Sequence, residues 1–301
     1  MTQIFILMTR RSFVKRFNLG EITKMVKKLL IMEKSLELFA EQGFEATSVQ
    51  QITKRCGISK GAFYLSFKSK EELILALIDQ FMEQFLSDVD YSVRNAKNDD
   101  DLLYDFYYIS FESFNKYSNF AKIFMKEQAH SVNNEMFTKL HYYNQLYEKT
   151  ILAMVEKLYG DEVNEIKYDL VYCIKSFMRT YTELLLFSNT LPDLATLAQS
   201  LAEKTNVLAN HMTIPYITHG FVPLFTDPQN EGGKKEEIIR FIDQSLEEVE
   251  ESIESESLVL LKEEVLNPTL SQALIKGLIE NIRNHPQCIW TAYLLRNYYH
   301  F

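Results

Sequence analysis

The stretch CGISKGAFYLSFKSKEEL, residues 56–73, holds the residue types that could do chemistry here, and that chemistry is docking onto a phosphate backbone. A glycine turn at Gly57 precedes Ser59, which can cap a helix, and then come Lys60, Gly61 and Ala62. The rings Phe63, Tyr64 and Phe67 follow, with Lys68 and Lys70 behind them. A helix that enters the major groove brings its first residues close to base edges, and bulky side chains there would hold the backbone off. Gly61 and Ala62 remove that obstacle. A helix N-terminus also points free N–H groups and a partial positive charge at an anion. Tyr64 offers a phenol to a phosphate, while Ser59, Lys60 and Lys70 offer further polar contacts. Phe63 and Phe67 can pack inward.

The flanking sequence supplies the elements to position these groups. Leu29, Met32, Leu36, Phe39 and Ala40 fall at helical spacing, and Gly43 follows as a C-terminal cap. Ser48-Val-Gln-Gln51 reads as a capping box opening a second helix that buries Val49 and Ile52. Gly57 ends it, and Ser59 caps a third helix running to about Phe67. Ser69-Lys-Glu-Glu72 is another capping box, opening a long helix with Leu73, Leu77, Phe81 and Phe85 on one face. Three short helices in this order outline a small DNA-binding module.

The charge distribution agrees. The net charge of the 301 residues is −9, yet residues 1–70 hold 13 Lys/Arg against 5 Asp/Glu. A basic head on an acidic body is what a protein needs when one end meets phosphates. Composition is otherwise that of a soluble globular protein, at 47% hydrophobic and 24% charged residues. Only 9 Gly and 6 Pro leave few turns, which favours long helices. Cys56, Cys173 and Cys288 are odd in number and form no C-x-x-C pair, so a disulfide framework is not expected and a reducing cytoplasm is. No stretch approaches the roughly 18 apolar residues that span a bilayer, and no membrane partner is expected. The N-terminal apolar run precedes its arginines, the reverse of a secretory signal. Residues 1–24, with Arg10, Arg11, Lys15, Arg16 and Lys24, are either a basic arm or, with a start at Met8 or Met25, in part untranslated.

LFAEQGFEATSVQQITKRCGISKGAFYLSFKSKEELILAL resembles the N-terminal domain of the TetR family of bacterial transcriptional repressors. The shared pattern is Leu-Phe with a Gly-aromatic turn, Thr-Ser-Val, Cys-Gly-Ile-Ser, Gly-Ala-Phe-Tyr and a Phe-x-x-Lys-Glu run. It covers about residues 27–78. The chain departs from the family at Thr53, where an alanine is usual, and at Ser66, where histidine is common. The resemblance implies a homodimer that binds double-stranded operator DNA, with an all-helical C-terminal domain and release by a small molecule. Carried over by position, Thr47 and Ser48 would meet phosphate, Lys60, Gly61 and Ala62 would face bases, and Tyr64 and Lys70 would hold backbone phosphates. Ser59 stands with them as a cap.

The expected fold is all-α, with a three-helix helix-turn-helix domain over 25–82 and a helical effector-binding and dimerisation domain over 83–213. Candidate helices in the body are 70–94, 100–117, 120–130, 134–159, 162–189 and 193–212. Residues 214–235 hold three prolines and three glycines and read as a linker or long loop. Beyond it, 236–301 form a helical extension longer than the family pattern provides. By the resemblance, 162–189 and 193–212 would form a bundle with the partner subunit through Leu170, Ile174, Phe177, Leu184, Leu185, Leu194, Leu197 and Leu201.

Residues 104–147 contain thirteen aromatic residues in 44 positions. Tyr104, Tyr108, Phe111, Phe114, Phe124, Met125, Phe137 and Tyr143, with Phe177, Met178 and Tyr181 from a facing helix, are candidates to line a pocket for a small hydrophobic effector. The competing reading of such rings at helical spacing is plain core. Enzymatic readings find no support: there is no Gly-x-Ser-x-Gly, no phosphate-binding Walker loop and no dinucleotide fingerprint. His130 and His141 lack zinc-ligand spacing, and no metal or cofactor is expected. The alternatives are a ligand-independent regulator and a helical interaction scaffold acting through its extension.

Overall fold

The computed structural model describes residues 19–96, 98–116, 134–187, 193–217 and 231–301. Most of the N-terminal arm, the helix expected over 120–130, and the pocket candidates Phe124 and Met125 lie outside them, as does the side chain of Phe137. Among the described residues there are twelve α-helices and no strand. They are α1 (Leu19–Gln42), α2 (Val49–Cys56), α3 (Lys60–Tyr64), α4 (Lys70–Asn95), α5 (Leu102–Lys116), α6 (Asn134–Tyr159), α7 (Lys167–Phe187), α8 (Leu194–His211), α9 (Glu231–Glu248), α10 (Ile253–Leu266), α11 (Gln272–Ile282) and α12 (Ile289–Tyr299). The all-α fold with an N-terminal helix-turn-helix is therefore as expected. The chain divides into two compact units, Met1–Asp79 with Tyr117–Met136, and Gln80–Lys116 with Phe137–Phe301.

In the first unit, α1 buries Ile31, Met32, Leu38 and Phe39, one stripe of its surface. Gly43 stops it at φ 92°, a left-handed conformation that costs glycine little, and its N–H donates to Phe39 O at 2.9 Å. Phe44 then folds back onto Phe39, with ring centres 5.2 Å apart and edge to face. Gly57 repeats the device at φ 66° and ends α2, so that Ile58 N donates to Thr53 O at 3.0 Å. Ile52, Phe63 and Phe67 fill the space enclosed by the short helices.

In the second unit, the core is built from the later turns of α4 (Phe81, Phe85, Leu86, Val89), from α5 (Phe106, Tyr107, Phe111), from α6 (Ile151, Met154, Val155) and from α7 (Leu170, Val171, Ile174). Tyr107 shares a hydrogen bond with Thr205 of α8 at 2.8 Å. Leu170, Ile174 and Leu201, expected at a subunit interface, are fully buried within the subunit. Their apolar periodicity serves the chain's own core.

The stretch read as a linker starts pinned: the N–H groups of Tyr216 and Ile217 donate to Asp169 Oδ2 at 3.1 and 2.9 Å. Helix α9 begins at Glu231, inside that stretch. The extension packs Ile238, Ile242, Leu258, Leu261, Ile275 and Ile279 together and places Trp290 of α12 5.9 Å from Tyr143 of α6. On α10, Ile253, Val259, Leu260 and Leu266 face solvent, interspersed with exposed Glu256 and Glu263.

Candidate nucleic-acid interface

The turn between α2 and α3 sets up the candidate surface. Ser48 and Gln51 form the expected capping box at the start of α2: Gln51 N donates to Ser48 Oγ at 3.2 Å, and Ser48 N donates to Gln51 Oε1 at 2.8 Å. Ser59 caps α3 by accepting from Ala62 N at 3.1 Å. Phe63 is completely buried and holds α3 down, which turns Lys60, Gly61 and Tyr64 outward. Tyr64 is 54% exposed, and its ring meets Phe63 edge to face at 5.4 Å. A Cβ added at Gly61 would find only Ser59 Oγ, at 3.8 Å. The absence of a side chain there answers no need of the fold.

Two of the candidates are held inside the unit. Thr47 is 1% exposed; its hydroxyl donates to Gly43 O at 2.7 Å and accepts from Gln42 Nε2 at 3.0 Å. The expectation that Thr47 meets phosphate gives way to a lock on the first turn, since its side chain offers nothing to solvent. Lys70 donates through Nζ to Phe44 O at 2.7 Å and lies 4.2 Å over the Phe44 ring. It is half-buried, at the start of α4. The second capping box is also displaced by one residue: Glu72 N donates to Ser69 Oγ, but the Glu72 carboxylate accepts from Lys68 N at 2.5 Å.

The basic residues sort into two groups. Arg55 is paired with Glu41 at 2.9 Å and lies 3.6 Å from Glu37; that guanidinium holds the Glu41 carboxyl below its ordinary range. Lys34 is paired with Glu37 at 2.7 Å. Lys54, Lys60 and Lys68 are exposed and make no ion pair among the described residues. Leu65, 78% exposed, was not among the expected contacts. Its signal lay in the run Phe63-Tyr64-Leu65: two helical steps from an inward Phe63 carry a side chain about 200° round, to the outside. An exposed leucine at the end of α3 presents apolar surface of the kind that thymine methyl groups can pack against.

This geometry is a helix-turn-helix with its second helix outward, and residues 31–77 match the family model of bacterial regulatory proteins, tetR family. Residues 31–77 are thus similar to the helix-turn-helix domain of tetR-family regulators. The family and the chain's relatives are DNA-binding regulators, not enzymes. The chain is 25% identical over 277 residues to the uncharacterized HTH-type transcriptional regulator YerO of Bacillus subtilis, covering 85% of this chain and 89% of the relative. Over 71 residues it is 31% identical to the fatty acid metabolism regulator protein of Bacillus subtilis, covering 24% of this chain and 37% of the relative. A solved regulator structure from Clostridium perfringens shares the fold at TM-score 0.50 and 18% identity, covering 62% of this chain and 99% of the other.

Among the described residues the effector candidates are not gathered around one space. Phe111 is fully buried, Phe114 lies 5.6 and 5.0 Å from the rings of Phe81 and Phe85, and Phe85 lies 5.4 Å from Tyr147. Tyr104 and Tyr108 stack on each other at 5.8 Å and are half-buried. Tyr143 belongs with Trp290, and its hydroxyl donates to Glu83 Oε1 at 3.4 Å. Met178 is buried and Tyr181 half-buried on α7. Phe177 lines an open depression of about 360 Å³ with Ser200, Glu203, Lys204, Val207 and Leu208. Among the described residues no helix is long and apolar enough to cross a membrane, and no cluster of metal-ligating side chains occurs.

Proposed function

We propose that the chain is a repressor that holds double-stranded operator DNA through α3 and lets go when a small hydrophobic effector binds its larger unit. The observation that carries the DNA half is the outward face of α3: buried Phe63 anchors a helix whose exposed side is Lys60, Gly61 and Tyr64. Lys60, Gly61 and Ala62 would read base edges, while Ser48, Tyr64 and Lys70 would meet phosphates. Two subunits would place two such helices in successive major grooves, and effector binding would favour a state in which their spacing no longer fits. The face of α7 and α8 around Phe177, Leu184 and Val207, the last two 60% and 52% exposed, is the surface offered for the second subunit.

The effector half rests on the density of rings between 104 and 147 and on the family resemblance. Similarity to the fatty acid metabolism regulator of Bacillus subtilis favours a lipid-related target over a sugar or amino-acid one, with efflux control beside it. One observation favours a second reading, a ligand-independent regulator or scaffold: the described rings lie in mutual contact rather than around a space. A gel shift on DNA upstream of the protein's own gene, titrated with salt and then with long-chain acyl compounds, separates these. The repressor reading expects salt-sensitive binding that the acyl compound reverses. The same compound should stabilise the chain by about 2.7 kcal/mol at a hundredfold excess over its dissociation constant. DNA binding that no hydrophobic compound reverses supports the ligand-independent reading, and no DNA binding at all supports the scaffold.

A further inference from the structure

The C-terminal extension grips α4 through buried charge. Asp90, in the second half of α4, is 1% exposed. Arg94 donates through Nε to its Oδ1 at 2.8 Å, and Arg296 of α12 brings Nε to 3.8 Å from its Oδ2. Arg296 is itself 2% exposed and donates from Nη2 to Ser87 Oγ at 3.4 Å. Arg94 reaches back to Asn297 Oδ1 at 2.8 Å and to the backbone oxygen of Phe301 at 2.6 Å. The guanidinium carbons of Arg283 and Arg296 lie 3.2 and 5.3 Å from the centre of the Tyr91 ring.

These groups are out of water at a cost. Burial pushes the Asp90 carboxyl up and the Arg296 guanidinium down, each against the pull of its partner. Apolar side chains of similar volume would hold α12 on α4 at least as firmly. What the polar set adds is direction: Arg296 sits at ion-pair distance from Asp90 and donates to Ser87, while Arg94, held by Asp90, reaches across to Asn297 and Phe301, so the clasp closes in one register of α12 on α4. Helix α4 runs from Lys70 to Asn95 and carries both Asp90 and Lys70.

We infer that Arg296 is a positioning residue for DNA binding: through Asp90 and Tyr91 the extension fixes α4 and thereby sets operator affinity. This rests on the operator binding proposed above. The test compares full-length wild type with Arg296→Gln and Asp90→Asn, measuring affinity for the operator and for a scrambled duplex, with hydrogen exchange across α4 and α12. Arg296→Gln should weaken operator binding by about tenfold and leave scrambled-duplex binding within about twofold, because no phosphate contact is touched. The double variant should lose little more than either single one, since both open the same clasp. Operator affinity unchanged, or exchange in α4 unchanged, overturns the inference. So does a parallel fall in operator and scrambled binding that tracks the unfolded fraction, the mark of a merely structural role. Should Arg296→Gln not fold, Asn297→Ala asks the same question at the half-exposed edge of the clasp, with the same outcomes. A wild type that binds no DNA fails before any variant is made; that result removes the proposed function, and this inference with it.

Discussion

The Nζ of Lys70 lies 2.7 Å from the backbone oxygen of Phe44 and 4.2 Å over the centre of its ring. The ammonium thereby ties the first turn of α4 to the glycine turn that closes α1. An ammonium has three donors, so two remain for a phosphate. Lys70→Met keeps an aliphatic stem over the ring and removes both roles. It should destabilise the chain by about 1 kcal/mol and lower the salt slope of operator binding by about one unit per subunit. Urea unfolding reads the first and a salt-titrated gel shift the second; an unchanged slope confines Lys70 to the tie.

Gly61→Ala separates fold from recognition. The space at its Cβ is open and α3 is helical there, so stability should hold or rise by roughly 0.5–1 kcal/mol. If base edges approach this backbone, the added methyl should cost operator affinity at least about tenfold, or 1.4 kcal/mol. Equal affinity for wild type and variant would remove Gly61 from the interface.

Thr47 and Tyr64 should behave as opposites. Thr47→Val removes a buried hydroxyl that donates to Gly43 O, and should cost about 1–3 kcal/mol of stability while the folded fraction still binds DNA. Tyr64→Phe removes an exposed hydroxyl, so its melting temperature should stay put while specific and non-specific duplex affinity fall together. A Tyr64→Phe protein that binds both duplexes normally would show that the phenol touches no phosphate.

Acid sensitivity should include a contribution from His285. Burial lowers its pKa below the ordinary 6.5, with Glu254 opposing. The unfolded chain therefore takes up a proton at His285 before the folded one does, and stability is lost as pH falls below 6.5. Burial raises Asp88 and Asp90, which works in the opposite direction at lower pH and is common to both proteins compared. Urea midpoints between pH 7.5 and 5.5 should therefore fall more for wild type than for His285→Gln. Parallel curves would show that the ring titrates as in solvent.

Local signals were legible and distant ones were not. Ser48 and Gln51 close their capping box because the motif needs only four residues, and Gly43 and Gly57 turn left-handed where a helix had to stop. The displaced box at Lys68 and Glu72 shows the limit even at short range, because a carboxylate can choose between adjacent N–H groups. The pairing of Arg55 with Glu41, fourteen residues away, depends on how α1 and α2 pack. Nothing in the spacing of Leu170, Ile174 and Leu201 says whether an apolar stripe is covered by its own chain or by a partner. The ring density between 104 and 147 was plain, but ring contacts with Phe81, Phe85 and Trp290 come from residues far along the chain. Periodicity carries no information on whether rings meet each other or surround a space.

The outer face of α10 has a consequence for how the molecule behaves in concentrated solution. Ile253, Val259, Leu260 and Leu266 would make a cohesive seam, but Glu256 and Glu263 share it. Two copies that zipped along this helix would press carboxylates onto carboxylates, so like-charge repulsion works as a gatekeeper against self-association. The protection lasts only while these charges are unscreened. It weakens in concentrated salt, where the field of an exposed charge dies within a few ångströms. Colloidal stability in this chain is thus tied to two side chains far in sequence from the helix-turn-helix.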